Sequence, residues 1–232
     1  RARVVEIVPL TPDTLRIVCE AERPVGFRPG QYVLFVIPGE RGRRAYSMSD
    51  RPGDGTRLDF VVRAKPGGVA TRFLFEKLRP GEVLDLEGPY GRAFLRTPVE
   101  RDLVLAAGGS GLGPMLSILR AALLDGLADG HDVVLVFGVR RRGDLFDLEI
   151  LEELAREHDN FRAVLALSEP TPSDPWEGEV GLVPEVLLRS VPDLAERDIY
   201  MAGPAPMIDA VLRACVFERG IPPARLRFDR FS

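Results

Sequence analysis

In the first hundred residues apolar side chains come in short runs broken by turn residues. RVVEIVPL (3–10), DTLRIVCE (13–20), YVLFVIP (32–38), RAYSMS (44–49), RLDFVVRA (57–64) and EVLDLEG (82–88) are rich in Val, Ile, Leu and Phe. Pro29-Gly30, Pro38-Gly39, Pro52-Gly53, Asp54-Gly55 and Pro80-Gly81 punctuate them. Gly and Pro there set the backbone angles of tight turns, so the runs read as strands. One stretch, ATRFLFEKL (70–78), has helical spacing and puts Phe73, Leu74 and Leu78 on one side. Six short strands and one helix predict an antiparallel β-barrel over residues 1–98, because closure removes exposed edges.

The rhythm changes after Pro98. Apolar runs DLVLAAGG (102–109), DVVLVFGV (132–139), FRAVLALS (161–168) and IYMAG (199–203) alternate with amphipathic ones. The latter are PMLSILRAALL (114–124), LFDLEILEELAREH (145–158), VPEVLLRS (183–190) and PMIDAVLRACVFERG (206–220). Strands apolar on both faces, separated by helices, are the mark of a parallel sheet covered on each side. The expectation for residues 99–232 is therefore an α/β domain on a five-stranded parallel sheet. RTPVERD (96–102) reads as the linker, and the Pro-rich SEPTPSDPWEGEVG (168–181) as a surface loop.

Composition narrows the choice of function. The net charge of -4 gives no basic field to draw in a nucleic acid. No apolar run approaches the ~20 residues needed to cross a bilayer. Cys19 and Cys215 are the only cysteines, too few and too far apart for a four-thiolate iron–sulfur cluster or zinc site. They read as buried reduced thiols of a cytoplasmic protein, and no metal site is expected. The first residue is Arg1 rather than Met, which suggests a fragment or processed product.

Three segments carry candidate chemistry. AAGGSGLGPM (106–115) joins a strand to a helix, and glycines there let the backbone turn tightly against a pyrophosphate. Gly109, Gly111 and Gly113 alternate, and Pro114 is expected to be the first helical residue, where its missing N–H is not needed. A turn glycine-rich only for packing would look the same. PGGVAT (66–71) precedes the barrel helix, and two readings stand: a diphosphate cradle of Gly67, Gly68 and the Val69–Thr71 amides, or a plain turn with Thr71 as cap. In RAYSMS, Arg44, Tyr46 and Met48 share one strand face, and Ser47 points the other way. Arg can pair with phosphate and a Tyr ring can lie on a flat heterocycle.

In one order along the chain stand RAYS (44–47), PGGVAT (66–71), GGSGLGP (108–114), FGVR (137–140) and AGPAPM (202–207). This set resembles the ferredoxin–NADP reductase family, whose members pair an FAD-binding barrel with a nicotinamide-binding α/β domain. The resemblance implies an enzyme that takes hydride from a reduced nicotinamide onto flavin N5 and releases electrons singly. It assigns Arg44 to an FAD phosphate, Tyr46 to the isoalloxazine and Ser47 to the flavin N5 edge, with Ala45 among the cofactor-binding residues and Ser47 and Tyr46 as the catalytic pair. Arg63, Gly67, Gly68, Val69, Ala70 and Thr71 continue the flavin site. Gly109, Gly111 and Pro114 form the dinucleotide turn, and Arg140 lies by the adenosine. Gly203, Pro204 and Met207 line the nicotinamide slot, and Phe231 covers the flavin or orders its surroundings.

Two departures from the family pattern bear on function. Ala202 stands where members often have Cys, so no thiol assists the transfer. Ser168-Glu169 replaces the Ser-Arg of NADP users; Glu169 would repel a 2′-phosphate and can accept from a 2′-hydroxyl, which favours NADH. LSEPTPSDPWEGEVGLV and the FDRFS ending are similar to reductase components of bacterial multicomponent oxygenases of the phenol and toluene type. The partners implied are a [2Fe–2S] ferredoxin domain or protein and an oxygenase, met by a monomer. Alternatives are a free-flavin reductase, a ferredoxin–NADP reductase and, last, a non-catalytic nucleotide-binding subunit.

Overall fold

A computed structural model describes residues 1–38, 42–172 and 175–231. Gly39 of one expected turn, Ser173 and Asp174 of the Pro-rich loop, and Ser232 lie outside them. All six expected N-terminal strands form: β1 (Ala2–Thr11), β2 (Thr14–Ala21), β3 (Tyr32–Val36), β4 (Arg43–Ser47), β5 (Arg57–Arg63) and, after the helix α1 (Val69–Arg72), β6 (Val83–Tyr90). Their order is β4-β3-β6-β1-β2-β5, antiparallel throughout. The sheet closes on itself where Met48 bridges Phe60 and the Ser49 N–H donates to Asp59 O at 2.7 Å.

Inside the barrel Ile17, Phe35, Met48 and Phe60 are fully buried, with the Phe35 and Phe60 rings edge-on at 4.8 Å. The helix has two parts: α1 runs directly into a wider π turn, Phe73–Lys77. Leu74 and Leu78 enter the barrel core and Phe73 packs half-buried beside them, as the spacing predicts.

The C-terminal half follows as β7 (Leu103–Gly108), α2 (Leu112–Leu124), β8 (Val133–Val139), α3 (Leu148–Glu157), β9 (Phe161–Leu167), β10 (Glu179–Val180), α4 (Val183–Ser190), β11 (Asp198–Pro204), α5 (Ala205–Arg213) and β12 (Leu226–Phe231). The sheet order is β10-β9-β8-β7-β11-β12 and every pair is parallel. The sheet thus has six strands, not five. Four of them correspond to the apolar runs; the other two are β10, two residues inside the stretch read as loop and too short to show a period, and β12, which falls on the C-terminal FDRFS segment. Along β7 Leu103, Leu105 and Ala107 pack with α2 and α3, while Val104 and Ala106 pack with α4 and α5. That two-sided burial explains the unbroken apolar run.

The halves are joined through α2. Ser117 Oγ accepts from Gly30 N–H at 3.3 Å and donates to Asp50 O at 2.7 Å, and Arg120 pairs with Asp50 at 3.0 Å. Among the described residues no helix is long and apolar enough to cross a membrane.

Candidate functional site

β7 has β8 on one side and β11 on the other. The chain proceeds outward through β8, β9 and β10, then returns to lay β11 and β12 on the opposite flank. The carboxyl ends of β7 and β11 therefore flank the point where the winding reverses, the place at which open α/β sheets bind ligands. The glycine segment sits there. Gly109 has φ +54 and begins a 3-10 turn, Gly109–Gly111, that passes into α2. The Leu112 N–H is bonded back to Gly109 O, and the amides ahead of it belong to the helix end.

The other glycines serve contact. A Cβ on Gly111 would overlap the Ala202 carbonyl, and one on Gly113 would sit 3.3 Å from Val61 and 3.6 Å from Ser49. Gly203, at φ +149, lies so close to Gly108 that a Cβ would come within 3.0 Å of its carbonyl oxygen and of Met207 Cε. Packing and turn requirements are thus both present, on different residues. Pro114 is the third residue of α2, not the first. It is tolerated because the first four N–H groups of a helix have no intrahelical acceptor.

From the barrel, β5 supplies the facing wall. Val61 meets α2 at Gly113, and two residues on, Arg63 reaches Gly109, its guanidinium 3.2 Å from where a Cβ would be. Arg63 Nε also donates to Asp13 Oδ2 at 2.7 Å. Burial alone would raise the Asp13 carboxyl, but hydrogen bonds from Arg63, Thr11 and Thr14 hold it below its usual range. On β4, Arg44 is exposed opposite Phe35, Ala45 is exposed, and Tyr46 lies opposite Val33 with its ring 4.6 Å from Phe35. Ser47 is buried opposite Tyr32. The strand then carries Ser49 to α2, so the RAYS segment and the glycine turn meet across one helix end.

At the other candidate turn Gly67 has φ +72 with open space around it, while Gly68 is packed on Lys65 and Thr71. Thr71 Oγ1 accepts from Lys65 N–H at 3.1 Å and lies 3.2 Å from Gly68 O, so its hydroxyl closes the turn. The first amide to bond back is Arg72 N–H, to Gly68 O at 3.0 Å. The Val69, Ala70 and Thr71 amides are the donors that precede it. Side chain and backbone therefore divide the two readings between them.

Arg140 and Glu169 follow β8 and β9, brought side by side by Ser168 N–H to Val139 O (3.0 Å) and Glu169 N–H to Arg140 O (2.8 Å). Next to them a cleft of about 490 Å³ opens between Pro12 and Asp13 of the barrel and Arg141, Gly143, Asp144 and Thr171. Phe231 pairs in register with Pro204 on β11 and packs half-buried on the α2 side of the sheet.

Sequence reading missed three residues here. Asp13 anchors Arg63 from fifty positions away, beyond any local pattern. Ser49 lies two residues past the RAYS serine, buried with its hydroxyl unpartnered. Asp229 pairs in register with Ala202; its Oδ2 is buried with no hydrogen-bond partner, and burial pushes its carboxyl up to about 6. The available signal was an acidic residue within the FDRFS strand. Burial also pushes the Cys19 and Cys215 thiols up to about 12 and about 11, so neither is a nucleophile at neutral pH.

A closed antiparallel barrel set against a parallel sheet, with a glycine turn at the switch point, defines a two-cofactor flavin–nicotinamide oxidoreductase. Comparison with known proteins agrees. Residues 2–94 match the oxidoreductase FAD-binding domain and residues 105–213 the oxidoreductase NAD-binding domain. The chain is 40% identical over 230 residues to the ferredoxin–NAD(+) reductase component of an alkene monooxygenase system of Xanthobacter autotrophicus, covering 99% of this chain and 69% of that one. It is 35% identical to a phenol 2-monooxygenase reductase component of Pseudomonas sp. strain CF600, over 95% of this chain and 64% of that one. The crystal structure of the Amycolatopsis cytochrome P450 reductase GcoB superposes with a TM-score of 0.91 at 35% identity, over 99% of this chain and 68% of that one. The chain belongs to the ferredoxin–NADP reductase family of FAD- and NAD-binding oxidoreductases, and it spans about two thirds of the length of these relatives.

Proposed function

We propose that this chain is the flavin- and nicotinamide-binding part of a reductase that oxidises NADH and passes electrons singly to an iron–sulfur centre of an oxygenase system. The net reaction is NADH plus two oxidised clusters giving NAD⁺, H⁺ and two reduced clusters. The observation that carries the reading is the convergence of β4, β5 and the Gly109–Gly113 turn on the switch point between β7 and β11.

The residues fit both groups. The Val69–Thr71 amides beside the open Gly67 are donors suited to the FAD diphosphate, with the exposed Arg44 as its cation. Tyr46, Ser47 and Phe231 are the residues we assign to the isoalloxazine. The Gly109–Gly111 amides, Gly203, Pro204 and Met207 would take the dinucleotide's pyrophosphate and nicotinamide, and the cleft beside Arg140 and Ser168-Glu169 its adenosine. When bound, FAD supplies the conversion of a two-electron donor into one-electron steps.

What the chain itself contributes is placement and exclusion of water. Gly203, packed without a side chain against Gly108, lets the ends of β7 and β11 lie close together at the switch point. Gly113 lets α2 approach Val61 and Ser49, which brings the two cofactor seats together. No side chain is required as acid or base for the transfer. Glu169, exposed at the end of β9, disfavours a 2′-phosphate by like charge. We place the domain boundary at residues 98/99, and the protein in the cytoplasm as a monomer that docks transiently.

The visible spectrum of the purified chain, repeated anaerobically with NADH and with NADPH, tests the reading. Flavin bands that NADH bleaches much faster than NADPH are expected. A colourless protein, or bands that neither nucleotide bleaches, would refute it.

A further inference from the structure

β1 and β2 are joined by a two-residue turn, Pro12-Asp13, and both side-chain oxygens of Asp13 are engaged. Oδ1 accepts from the Thr11 and Thr14 hydroxyls, each at 3.0 Å. Oδ2 accepts from Arg63 Nε at 2.7 Å. The Asp13 carbonyl accepts from Ala64 N–H at 2.7 Å, and Thr14 pairs in register with Arg63 on β5. Two strands and a turn therefore fix one carboxylate against one guanidinium.

The grip is by Nε alone. Nη1 lies 3.2 Å from where a Gly109 Cβ would be, and among the described residues neither Nη1 nor Nη2 has a hydrogen-bond partner. Arg63 thus keeps free, beside the start of the glycine turn, the two-nitrogen end that matches a phosphate bidentately. Stability does not account for the arrangement, since side chains 30% and 39% exposed make an ion pair of little worth. Attraction of an anion does not account for Asp13 either, because a carboxylate beside an anion seat repels its occupant. Aim accounts for it. Asp13 also lines the cleft next to Arg140 and Glu169, so it stands where the pyrophosphate and adenosine seats adjoin.

We propose that Arg63 serves the dinucleotide rather than the flavin, and that Asp13 is the positioning residue that aims it at the pyrophosphate. The proposal rests on reading the chain as a flavoprotein that oxidises a nicotinamide. Pinned at Nε, the guanidinium has less freedom to lose when its Nη atoms close on phosphate oxygens. The gain in preorganisation outweighs the repulsion that Asp13 brings.

The test uses the full chain with FAD bound, as wild type, Asp13→Ala, Asp13→Asn, Arg63→Ala and the double variant of the two alanine changes. Calorimetric titration with ADP-ribose, which carries pyrophosphate and adenosine without the reacting ring, reads binding apart from turnover. Arg63→Ala should weaken ADP-ribose about tenfold and Asp13→Ala about fivefold, although the latter removes a repelling charge. Asp13→Asn keeps an acceptor for Nε and should lose only about twofold; it carries the comparison should the alanine variant not fold. On an Arg63→Ala background the Asp13 change should cost nothing further, because its effect passes through Arg63. The KM for NADH should rise in step while kcat moves by less than about twofold, and FAD should stay bound. ADP-ribose binding that is unchanged or tighter without the Asp13 carboxylate, with bleaching by NADH intact, overturns the positioning role. Losses that add in the double variant overturn it too. FAD released from Arg63→Ala at unchanged ADP-ribose affinity returns Arg63 to the flavin and overturns the assignment. A wild type that neither binds ADP-ribose nor is bleached by NADH refutes the reductase reading itself, a failure distinct from the others.

Discussion

Replacing Asp229 by Asn removes a charge that the fold accommodates at a cost. The carboxyl lies on β12 beside Ala202, Oδ2 is sealed from solvent without a donor, and burial moves its titration from near 3.8 to about 6. The sign follows from proton binding. Between those two values the unfolded chain has lost its proton and the folded chain has kept it, so stability falls as pH rises. Below 3.8 the native state enjoys the full advantage of the neutral acid; above 6 that advantage is gone. At ~1.4 kcal/mol per unit the total is about 3 kcal/mol, of which about 1.4 kcal/mol is lost between pH 5 and pH 7.5. Asn has its own buried amide to satisfy, so the absolute stability of the variant is not diagnostic, but its pH slope is. Urea unfolding of wild type and Asp229→Asn, at fixed FAD concentration and half-unit pH steps, gives the difference directly. The wild type should lose ground to the variant by about 1–2 kcal/mol over that range. Parallel curves would show that Asp229 titrates as an ordinary solvated carboxylate, and would remove it from the buried wall of the site.

Gly111→Ala forces a Cβ into the Ala202 carbonyl, so thermal denaturation should show a loss of more than about 2 kcal/mol and NADH titration a weakened affinity. Wild-type stability would mean that α2 can retreat from β11 freely. Glu169→Arg replaces repulsion of a 2′-phosphate by attraction, and the ratio of kcat/KM for NADPH over NADH should rise by roughly three- to tenfold, the ~0.7–1.4 kcal/mol of losing one exposed repulsion and gaining one exposed attraction. A ratio that stays put would place the 2′ position away from β9. Ser47→Ala should slow flavin bleaching by NADH in stopped flow about tenfold while the NADH dissociation constant changes little. An unchanged rate sinks the assignment of Ser47 to the flavin edge.

Periodicity disclosed most of the strands and helices long enough to have a period, although the six-residue β12 is not among its runs. The six barrel strands show in the apolar runs because each alternates against one core, and β7 and β8 show as unbroken runs because each is buried on both faces. β10, with only Glu179 and Val180, has no period to detect, and the π turns after α1 and α5 occupy segments that read as ordinary helix. Glycine spacing marked the turn at 108–113 but not the separate reasons for it. Gly109 is set by its φ, Gly111 by a carbonyl ninety-one positions away and Gly113 by a strand of the other half. The same limit hides Asp13 and Asp147, whose partners Arg63 and Arg16 are fifty and 131 residues distant. Local chemistry shows what a segment can bind, whereas the partner that fixes a side chain is a property of topology.

That distinction bears on how the two cofactor seats stay in register. The glycine turn cannot orient itself, since its residues have the most freedom of any in the chain. Its position is set from below, where α2 is bolted to the barrel by Ser117 between Gly30 and Asp50 and by Arg120 on Asp50. A second bolt holds the segment after β8: Arg16 on β2 pairs with Asp147 at 2.5 Å, both side chains largely buried. Asp147 has φ +59, a left-handed conformation that costs a non-glycine residue of order 1 kcal/mol. Burial also raises its carboxyl despite the attraction of Arg16, so the pair is a poor source of stability. Its geometric effect is better defined. Asp147 immediately precedes α3 and lies three residues beyond Asp144, which with Arg141 and Gly143 forms one side of the cleft whose other side is Pro12 and Asp13. Arg16 lies three residues beyond Asp13 on β2, so the ion pair ties the two walls of the cleft together from behind. In the proposed reaction, which needs no acid or base group, the rate depends on such distances, and the Arg16–Asp147 pair sets one of them while bringing little stability.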